Sequence, residues 1–268
     1  MDPAVRRQRV LVMPQFNEER TVVAVLAQAA AYVDRVVVVD DGSRDGSPGL
    51  IQRWMETAPV AVDLLQHPRN RGMSGALLTG FCHVVALLAA GELGPDDVVI
   101  TIDADGQHDP AEIPMLIDYL LETGVDVALG RRNLEGYPAY KRVGNRLLSA
   151  WASLLSGCPY ADVECGFRAM RAAVLPELLR YFSGFKYGCA QEIGVILPRL
   201  GFRVDNRLPV VVRYYRQGAR FRDGLINAFM GFWAFLRVLL GVARDPYARS
   251  RAHLHRLRLD RAAPERSA

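Results

Sequence analysis

Four carboxylates end two apolar runs of the chain, where they could hold a divalent cation together with a phosphorylated ligand. Asp40 and Asp41 end a run of valines, and Asp103 and Asp105 end a second apolar run. Carboxylates a few ångströms apart repel one another unless a cation lies between them. Because alternate side chains of an extended chain point to the same side, Asp103 and Asp105 can share one ion. With the amide of Gln107 they form a hard oxygen donor set, which predicts Mg2+ or Mn2+ rather than zinc.

The alternative for acidic residues at strand ends is a turn or a helix cap. We favour that alternative for Asp45, which precedes a glycine, and for Asp109, which precedes Pro110 at the start of a predicted helix. Capping is a poor explanation for Asp103 and Asp105, because they follow an apolar strand and accompany two other polar strand ends. We therefore expect the latter pair to bind a ligand.

Alternating strand and helix patterns must bring these residues to one place. The predicted strands are Val10–Met13, Val36–Asp40, Val60–Leu65, Val98–Asp103 and Val125–Gly130. The predicted helices between them are Glu18–Val33, Ser47–Thr57, Gly75–Ala90 and Ala111–Glu122. After a polar stretch, Arg131–Arg146, we expect an apolar helix at about 146–156, a short strand at Gly166–Met170 and helices at Ala172–Tyr181 and Cys189–Leu200. This order predicts an α/β fold with a doubly wound sheet, in which ligands bind beyond the carboxyl ends of the strands.

Composition excludes several classes of protein. Half of the 268 residues are hydrophobic and 23% are charged, which excludes an intrinsically disordered, collagen-like or coiled-coil chain. The net charge of +4 lies in residues 244–268, where seven arginines face three acids, so it does not indicate nucleic-acid binding. The four cysteines form no metal-ligand spacing, which predicts free thiols. The N-terminus lacks the apolar core of a secretory signal, which favours a cytoplasmic location.

The strand ends also resemble those of a known family. They read Pro14-Gln15-Phe16-Asn17-Glu18, Asp40-Asp41-Gly42-Ser43 and Asp103-Ala104-Asp105-Gly106-Gln107, followed by Gly130-Arg131-Arg132, Cys165-Gly166-Phe167-Arg168 and Tyr215-Arg216-Gln217-Gly218. In order and spacing, over roughly residues 9–222, these segments resemble glycosyltransferase family 2, whose members have the GT-A fold and act with inversion. The chain is most similar to the dolichyl- or polyprenyl-phosphate mannosyl- and glucosyltransferases of that family.

The resemblance implies roles for particular residues. Nucleotide base and ribose would be held by Pro14, Phe16, Glu18, Val39 and Asp41. The donor and its Mg2+ or Mn2+ would be held by Asp103, Ala104 and Asp105, with Gln107 as a further metal ligand. Arg132 matches the arginine that ends the family's Gly-Ser-Arg motif, and Arg216 and Arg220 lie in the loop that closes over the diphosphate. Asp105 and Arg132 are therefore expected among the catalytic residues.

Two kinds of acceptor remain open. A polyprenyl phosphate is already anionic and requires cations rather than a general base, and Arg131, Arg142 and Arg146 could supply them beside Arg132. A sugar hydroxyl on a glycan or a small soluble acceptor requires a carboxylate base, for which Glu192 or Glu164 is the candidate. A non-catalytic nucleotide-sugar-binding protein is a third possibility, but it would not need the complete set Asp103, Asp105 and Gln107.

A C-terminal helix is predicted to contact a membrane. The uncharged stretch 224–236 would span about 20 Å as a helix, which is less than the roughly 30 Å of a bilayer core. Bulky apolar residues share one side of the helix, which favours an amphipathic helix lying in the membrane interface beside a basic tail. The alternative is a helix packed on the sheet or on a second subunit. We thus expect a GT-A domain over 1–222, an amphipathic helix over 223–243 and a basic tail over 244–268.

The predicted activity combines these expectations. It is the metal-dependent, inverting transfer of mannose or glucose from GDP-mannose or UDP-glucose to polyprenyl (dolichyl) phosphate, by an enzyme peripheral to the cytoplasmic face of the membrane. His108 is expected at the surface beside the site, and Cys165 as a small buried packing residue.

Overall fold

Strands and helices alternate through the first half of the chain, as predicted. The computed structural model describes residues 7–213 and 221–262. Its strands are β1 (Arg9–Gln15), β2 (Arg35–Asp40), β3 (Ala61–Gln66), β4 (Val98–Thr101), β5 (Val127–Leu129), β6 (Arg131–Arg132), β7 (Arg168–Arg171), β8 (Val204–Asp205) and β9 (Pro209–Val210). Its helices are α1 (Val22–Ala29), α2 (Ser47–Met55), α3 (Met73–Ala89), α4 (Ile113–Thr123), α5 (Ala139–Ser156), α6 (Val174–Tyr181), α7 (Cys189–Arg199), α8 (Phe221–Leu239) and α9 (Pro246–Ala262).

The main sheet has seven strands in the order β3-β2-β1-β4-β7-β5-β8. Pairing is parallel between β1 and β2, β1 and β4, β2 and β3, and β5 and β8, whereas β7 is antiparallel to both β4 and β5. The prediction of a mainly parallel α/β sheet flanked by helices is therefore confirmed. The short strand expected at Gly166–Met170 exists as β7, but its insertion between β4 and β5 was not predicted.

Central strands are buried on both faces, because helices cover the sheet on each side. The helix α3 approaches β1 very closely at Gly80, where an added Cβ would lie 2.4 Å from Cγ1 of Val12. This contact holds α3 against the middle of β1, and the loop that precedes α3 reaches the carboxyl end of β2, where Arg71 and Gly72 donate to Asp41.

The C-terminal helices pack on the rest of the fold. α8 lies against α5 and α7, and α9 lies along α3 and α6. Asn227, Gly231 and Ala234 of α8 are buried, whereas its bulky side chains Phe229 and Trp233 are exposed. The small and polar side of α8 thus faces the protein. Within the described part of the chain, no helix combines the length and the apolar character that crossing a bilayer requires.

Candidate active site

A first cavity, of about 190 Å3, opens where β1, β2 and β4 end. Seven predicted donor-site residues line it, namely Pro14, Phe16, Glu18, Asp41, Asp103, Ala104 and Asp105, and Gln15, Asn70, Gly72, Met73, Ala76 and Tyr187 complete its wall. Arg132, also predicted at the donor, lines a different cavity, and Val39 is fully buried and packs towards Gly80 of α3. Its position in β2 directs its side chain into the core, so it does not line the cavity. We name this cavity the donor pocket.

Asp41 is held firmly in the wall of the donor pocket. Its carboxylate accepts hydrogen bonds from the backbone N–H groups of Arg71 and Gly72, both at 2.8 Å, and from Nδ1 of His67 at 2.6 Å. Its neighbour Asp40 does not line the pocket, because it accepts a hydrogen bond from the Gln15 amide at 2.5 Å and turns away. The four strand-end carboxylates therefore do not form one cluster.

Asp103 and Asp105 lie together, as expected. Burial raises the pKa of Asp103, the neighbouring Asp105 carboxylate adds to this effect, and the result is a pKa of about 6. The Gln107 side-chain amide donates to Oδ2 of Asp105 at 2.6 Å, and its backbone N–H donates to Oδ1 at 2.9 Å. The backbone of Gly166 fits closely against Asp103, since an added Cβ would lie 2.8 Å from Oδ2. This site is therefore a compact acidic pair to which the Gln107 amide is hydrogen-bonded.

Those three side chains suit a hard divalent cation. Asp103 is a carboxylate whose ionised form is disfavoured by burial and by a second carboxylate, and a cation would relieve both effects. Among the residues that the structure describes, no group of three or more His, Cys, Asp or Glu side chains could hold a metal ion. A cation here would consequently complete its coordination with the Gln107 amide, substrate oxygens and water.

A larger groove, of about 660 Å3, begins at the same acidic pair and runs between α5 and α8. Its apolar wall includes Leu134, Tyr137, Tyr140, Leu147, Leu148, Trp151, Leu225 and Ala228, and its charged groups include Arg132, Lys141, Glu164 and Arg168. Pro14, Met73, Asp103, Asp105 and Tyr187 line both cavities. The donor pocket and this groove, which we name the acceptor groove, therefore meet at the acidic pair.

Of the four arginines proposed to hold an acceptor phosphate, only Arg132 lines the acceptor groove. Its guanidinium donates two hydrogen bonds of 2.8 Å to the buried carboxylate of Asp162. Arg131 is exposed on β6, and Arg142 and Arg146 lie inside α5, which begins seven residues earlier than predicted. The helical repeat places Arg142 and Arg146 on the side of α5 that faces away from the groove. None of these three arginines therefore lines the groove.

The two candidate bases have very different surroundings. Glu192 is fully buried and lines neither cavity. Its carboxylate accepts hydrogen bonds from the backbone and hydroxyl of Ser183 and forms an ion pair with Arg237 of α8 at 3.1 Å. Glu164 lines the acceptor groove, and burial raises its pKa although the Gln191 amide donates to it at 2.7 Å. The geometry thus argues against Glu192 as a base and favours Glu164.

Several outcomes concern residues with minor predicted roles. His108 was expected at the surface, but it is buried, and its ring centroid lies 5.3 Å from that of Phe167. Burial lowers the pKa of His108 to about 4. The β-bridge between His108 and Val212 covers it. Cys165 is buried as predicted, and burial raises its pKa to about 12. Arg216 and Arg220 lie outside the described residues.

Two cations of the acceptor groove were missed. Arg168 of β7 is buried, and its positive charge lowers the pKa of Asp103, which offsets part of the rise caused by burial. Lys141 lies near the start of α5. Arg168 belonged to the quoted Cys-Gly-Phe-Arg segment, so the resemblance contained the signal, whereas Lys141 could be found only by placing the helix correctly. The predicted turn at Asp45 and the predicted helix cap at Asp109 are confirmed, since each carboxylate accepts a hydrogen bond from the backbone N–H two residues ahead, at 3.0 Å.

Comparisons with known proteins agree with this geometry. The family model described as glycosyl transferase family 2 matches residues 10–178. A UDP-N-acetylglucosamine–dolichyl-phosphate N-acetylglucosaminyltransferase of Methanococcus voltae is 28% identical, over 88% of this chain and 97% of its own length. An undecaprenyl-phosphate 4-deoxy-4-formamido-L-arabinose transferase of Aeromonas hydrophila is 30% identical, over 71% of this chain and 54% of its own length.

Solved structures share the fold. The glucosyl-3-phosphoglycerate synthase of Mycobacterium tuberculosis in complex with UDP superposes with a TM-score of 0.60 at 20% identity, covering 87% of this chain and 80% of that one. The same enzyme with Mg2+ and UDP gives a TM-score of 0.58, covering 87% and 79%. The matched family segment contains the donor-pocket strands and both carboxylates of the acidic pair. This chain therefore belongs to glycosyl transferase family 2 and has the GT-A fold.

Proposed function

We propose that this chain transfers a hexose from a nucleoside-diphosphate sugar to polyprenyl phosphate, with inversion and with Mg2+ or Mn2+. The observation that carries the proposal is the meeting of two unlike cavities at the acidic pair. One is a small pocket at the strand ends with four acidic side chains in its wall, and the other is a larger groove with apolar walls and three cationic side chains. A nucleotide suits the first cavity, and an isoprenoid phosphate suits the second.

The donor pocket would bind the nucleoside diphosphate. Asp41 offers a fixed carboxylate to the nucleoside, and the half-exposed ring of Phe16 offers a face for the base. Asp103, Asp105 and Gln107 would hold the metal ion, which supplies Lewis-acid stabilisation of the departing diphosphate. Because donor and acceptor approach this point from different cavities, the pocket can hold the anomeric carbon between them for in-line displacement.

The acceptor groove would bind polyprenyl phosphate by its two chemically distinct parts. Arg132, Lys141 and Arg168 provide positive charge for the phosphate, and arginine is well suited to binding phosphate oxygens in pairs. The tyrosine, leucine and tryptophan side chains of α5 would contact the isoprenoid chain. A phosphate oxygen is already ionised at neutral pH, so the attacking group needs no general base.

A membrane surface would supply such an acceptor. Leu147 of α5 is 66% exposed and Phe229 of α8 is 61% exposed, and other apolar side chains on the same two helices, Tyr140, Val143, Leu154, Leu225 and Trp233, are exposed with them. The Trp151 indole N–H donates to the Ala228 carbonyl at 3.0 Å, which joins the two helices beside the acceptor groove. This apolar surface would lie in the lipid interface, with the groove opening towards the lipid.

The test of the activity is transfer of label from GDP-mannose, UDP-glucose or UDP-N-acetylglucosamine, with Mg2+ or Mn2+ and with or without polyprenyl phosphate in detergent. A labelled lipid that releases the sugar in mild acid would support the proposal and identify the donor. Transfer to a soluble hydroxyl acceptor, with loss of activity in Glu164→Gln, would favour the second candidate, in which Glu164 acts as a base. Binding of every donor without transfer to either acceptor would contradict both.

The test of the membrane contact is sedimentation with vesicles of phosphatidylcholine and phosphatidylglycerol. We expect the native chain to sediment with the vesicles and the double variant Leu147→Ser/Phe229→Ser to remain largely in the supernatant. Val211→Ser is a matched control, because Val211 is exposed but belongs to neither helix. Equal sedimentation of all three proteins would contradict the assignment of this surface.

A further inference from the structure

The terminal helix α9 is attached to the helix that borders the donor pocket. The Ser250 hydroxyl donates to the backbone carbonyl of Cys82 in α3, and Leu257 is 4% exposed. Arg249 donates to the Leu179 carbonyl at the end of α6. The helix lies beyond the segment that the family model matches, which ends at residue 178. This close attachment raises the question of whether α9 contributes to the donor pocket.

A line of hydrogen bonds connects α9 to the donor pocket. Nε2 of His253 lies 2.7 Å from Oγ1 of Thr79, which lies 2.8 Å from Nε2 of His67. Nδ1 of His67 then lies 2.6 Å from Oδ1 of Asp41. Asp41, His67 and Thr79 are all buried, so water does not compete effectively with these contacts. We name these four residues the Asp41 chain.

The hydrogens of the Asp41 chain can be arranged in one consistent direction. Asp41 can only accept as a carboxylate, so His67 donates to it from Nδ1 and has Nε2 free to accept. The single hydroxyl hydrogen of Thr79 has two possible acceptors, the Gly75 carbonyl at 3.1 Å and Nε2 of His67 at 2.8 Å. It can point to the nearer acceptor, His67, and the Thr79 oxygen then accepts from Nε2–H of His253. Burial lowers the pKa of His253 to about 4, so at neutral pH it is an uncharged imidazole that can adopt this tautomer.

Resting on the donor-binding role of Asp41 in the proposed function, we propose that His253 is a positioning residue for the nucleoside diphosphate. It fixes the Thr79 hydroxyl, which fixes the ring of His67, which fixes the carboxylate of Asp41. The terminal helix is thereby a part of the donor site's support, although none of its residues lines the pocket.

Calorimetric titration of the full chain with UDP and with GDP, each with Mg2+, tests this proposal. His253→Phe and Thr79→Val keep the approximate shape but remove the hydrogen bonds, and each should weaken nucleotide binding about threefold to tenfold. His253→Gln and Thr79→Ser retain a donor and a hydroxyl, and they should restore binding to within about twofold of native. The double variant Thr79→Val/His253→Phe should bind no more weakly than the weaker single variant, because the two residues act in series.

Controls distinguish this role from general packing and from failure of the donor site. His255→Phe changes an exposed histidine of the same helix and should bind nucleotide as native does. Asp41→Asn should weaken binding, and if it does not, or if neither nucleotide binds the native chain, the donor site itself is wrong and the inference falls with it. Weak binding by Asp41→Asn, together with native binding by His253→Phe and Thr79→Val, would overturn this inference and leave the proposed donor site intact. Equal losses in His253→Gln and Thr79→Ser, with lower melting temperatures, would also overturn it.

Discussion

The ion pair between Arg237 and Glu192 connects α8 to α7, and its removal should strongly destabilise the protein. The Arg237 side chain keeps 11% of its surface exposed and Glu192 keeps 1%. Removing one partner of a buried pair costs about 3–5 kcal/mol, because the other charge loses its compensation in a poorly solvated place. Since Arg237 retains some solvent contact and Ser183 continues to donate to Glu192, we expect Arg237→Ala to cost about 3 kcal/mol.

The loss should depend on pH in a defined direction. Burial raises the pKa of Glu192 above its ordinary value, and the Arg237 charge opposes that rise. Without Arg237, the pKa of Glu192 in the folded protein rises further above its pKa in the unfolded chain. At a pH between these two pKa values, the folded variant holds a proton that the unfolded chain has released. Stability falls with rising pH wherever the folded state binds more protons. The free energy of unfolding of Arg237→Ala should therefore differ from native more at pH 8 than at pH 5.

Urea unfolding at pH 5 and pH 8, followed by circular dichroism, measures both effects. Arg251→Ala, which removes an exposed cation from α9, should change the free energy of unfolding by no more than about 0.5 kcal/mol. The double variant Arg237→Met/Glu192→Gln removes both charges and should recover much of the loss. A loss below about 1 kcal/mol in Arg237→Ala, or a larger loss at pH 5 than at pH 8, would refute the reasoning.

Three further predictions concern the site and the core. Asp105→Asn should lower transfer at least about 100-fold at any Mn2+ concentration, and near-native turnover in the radiolabel assay would contradict the metal assignment. Lys141→Ala should raise KM for polyprenyl phosphate about threefold to tenfold, whereas Arg146→Ala should raise it less; equal effects would show that the acceptor groove is wrongly assigned. Gly80→Ala should lower the free energy of unfolding by about 1–3 kcal/mol because its Cβ meets β1, whereas Gly49→Ala, which meets no atom within 4 Å, should be neutral or stabilising in the same urea titration.

The donor side of the site could be predicted because it depends on strand ends. Short apolar runs mark the strands, and the parallel arrangement brings the residues after them to one edge. Asp41, Asp103 and Asp105 follow directly from that argument. Val39 is the exception, since a resemblance between motifs does not say which member of a motif points into the core.

The acceptor side depended on a helix boundary and on contacts between distant segments. We expected a polar stretch up to residue 146, but Pro138 starts α5 earlier, and the helical repeat then separates Arg142 and Arg146 from the groove. Glu192 was a candidate base, and only its three-dimensional contact with Arg237 of α8 shows that its carboxylate already has a charge partner. The contact between Thr79 and His253 joins residues 174 positions apart, which no local pattern records.

The place of β7 between β4 and β5 has a consequence for the order of events during synthesis. The strands β1–β4 pair among themselves and can form one sheet as soon as residue 101 has left the ribosome. The strand β5 follows soon afterwards, but its neighbours are β7 and β8, which emerge some 40 and 75 residues later. Until β7 is synthesised, β4 is an edge strand of any sheet that β1–β4 form. Because Gly166, whose backbone fits against Asp103, arrives only with β7, the strands that carry the donor pocket are translated before the wall around Asp103 can be complete.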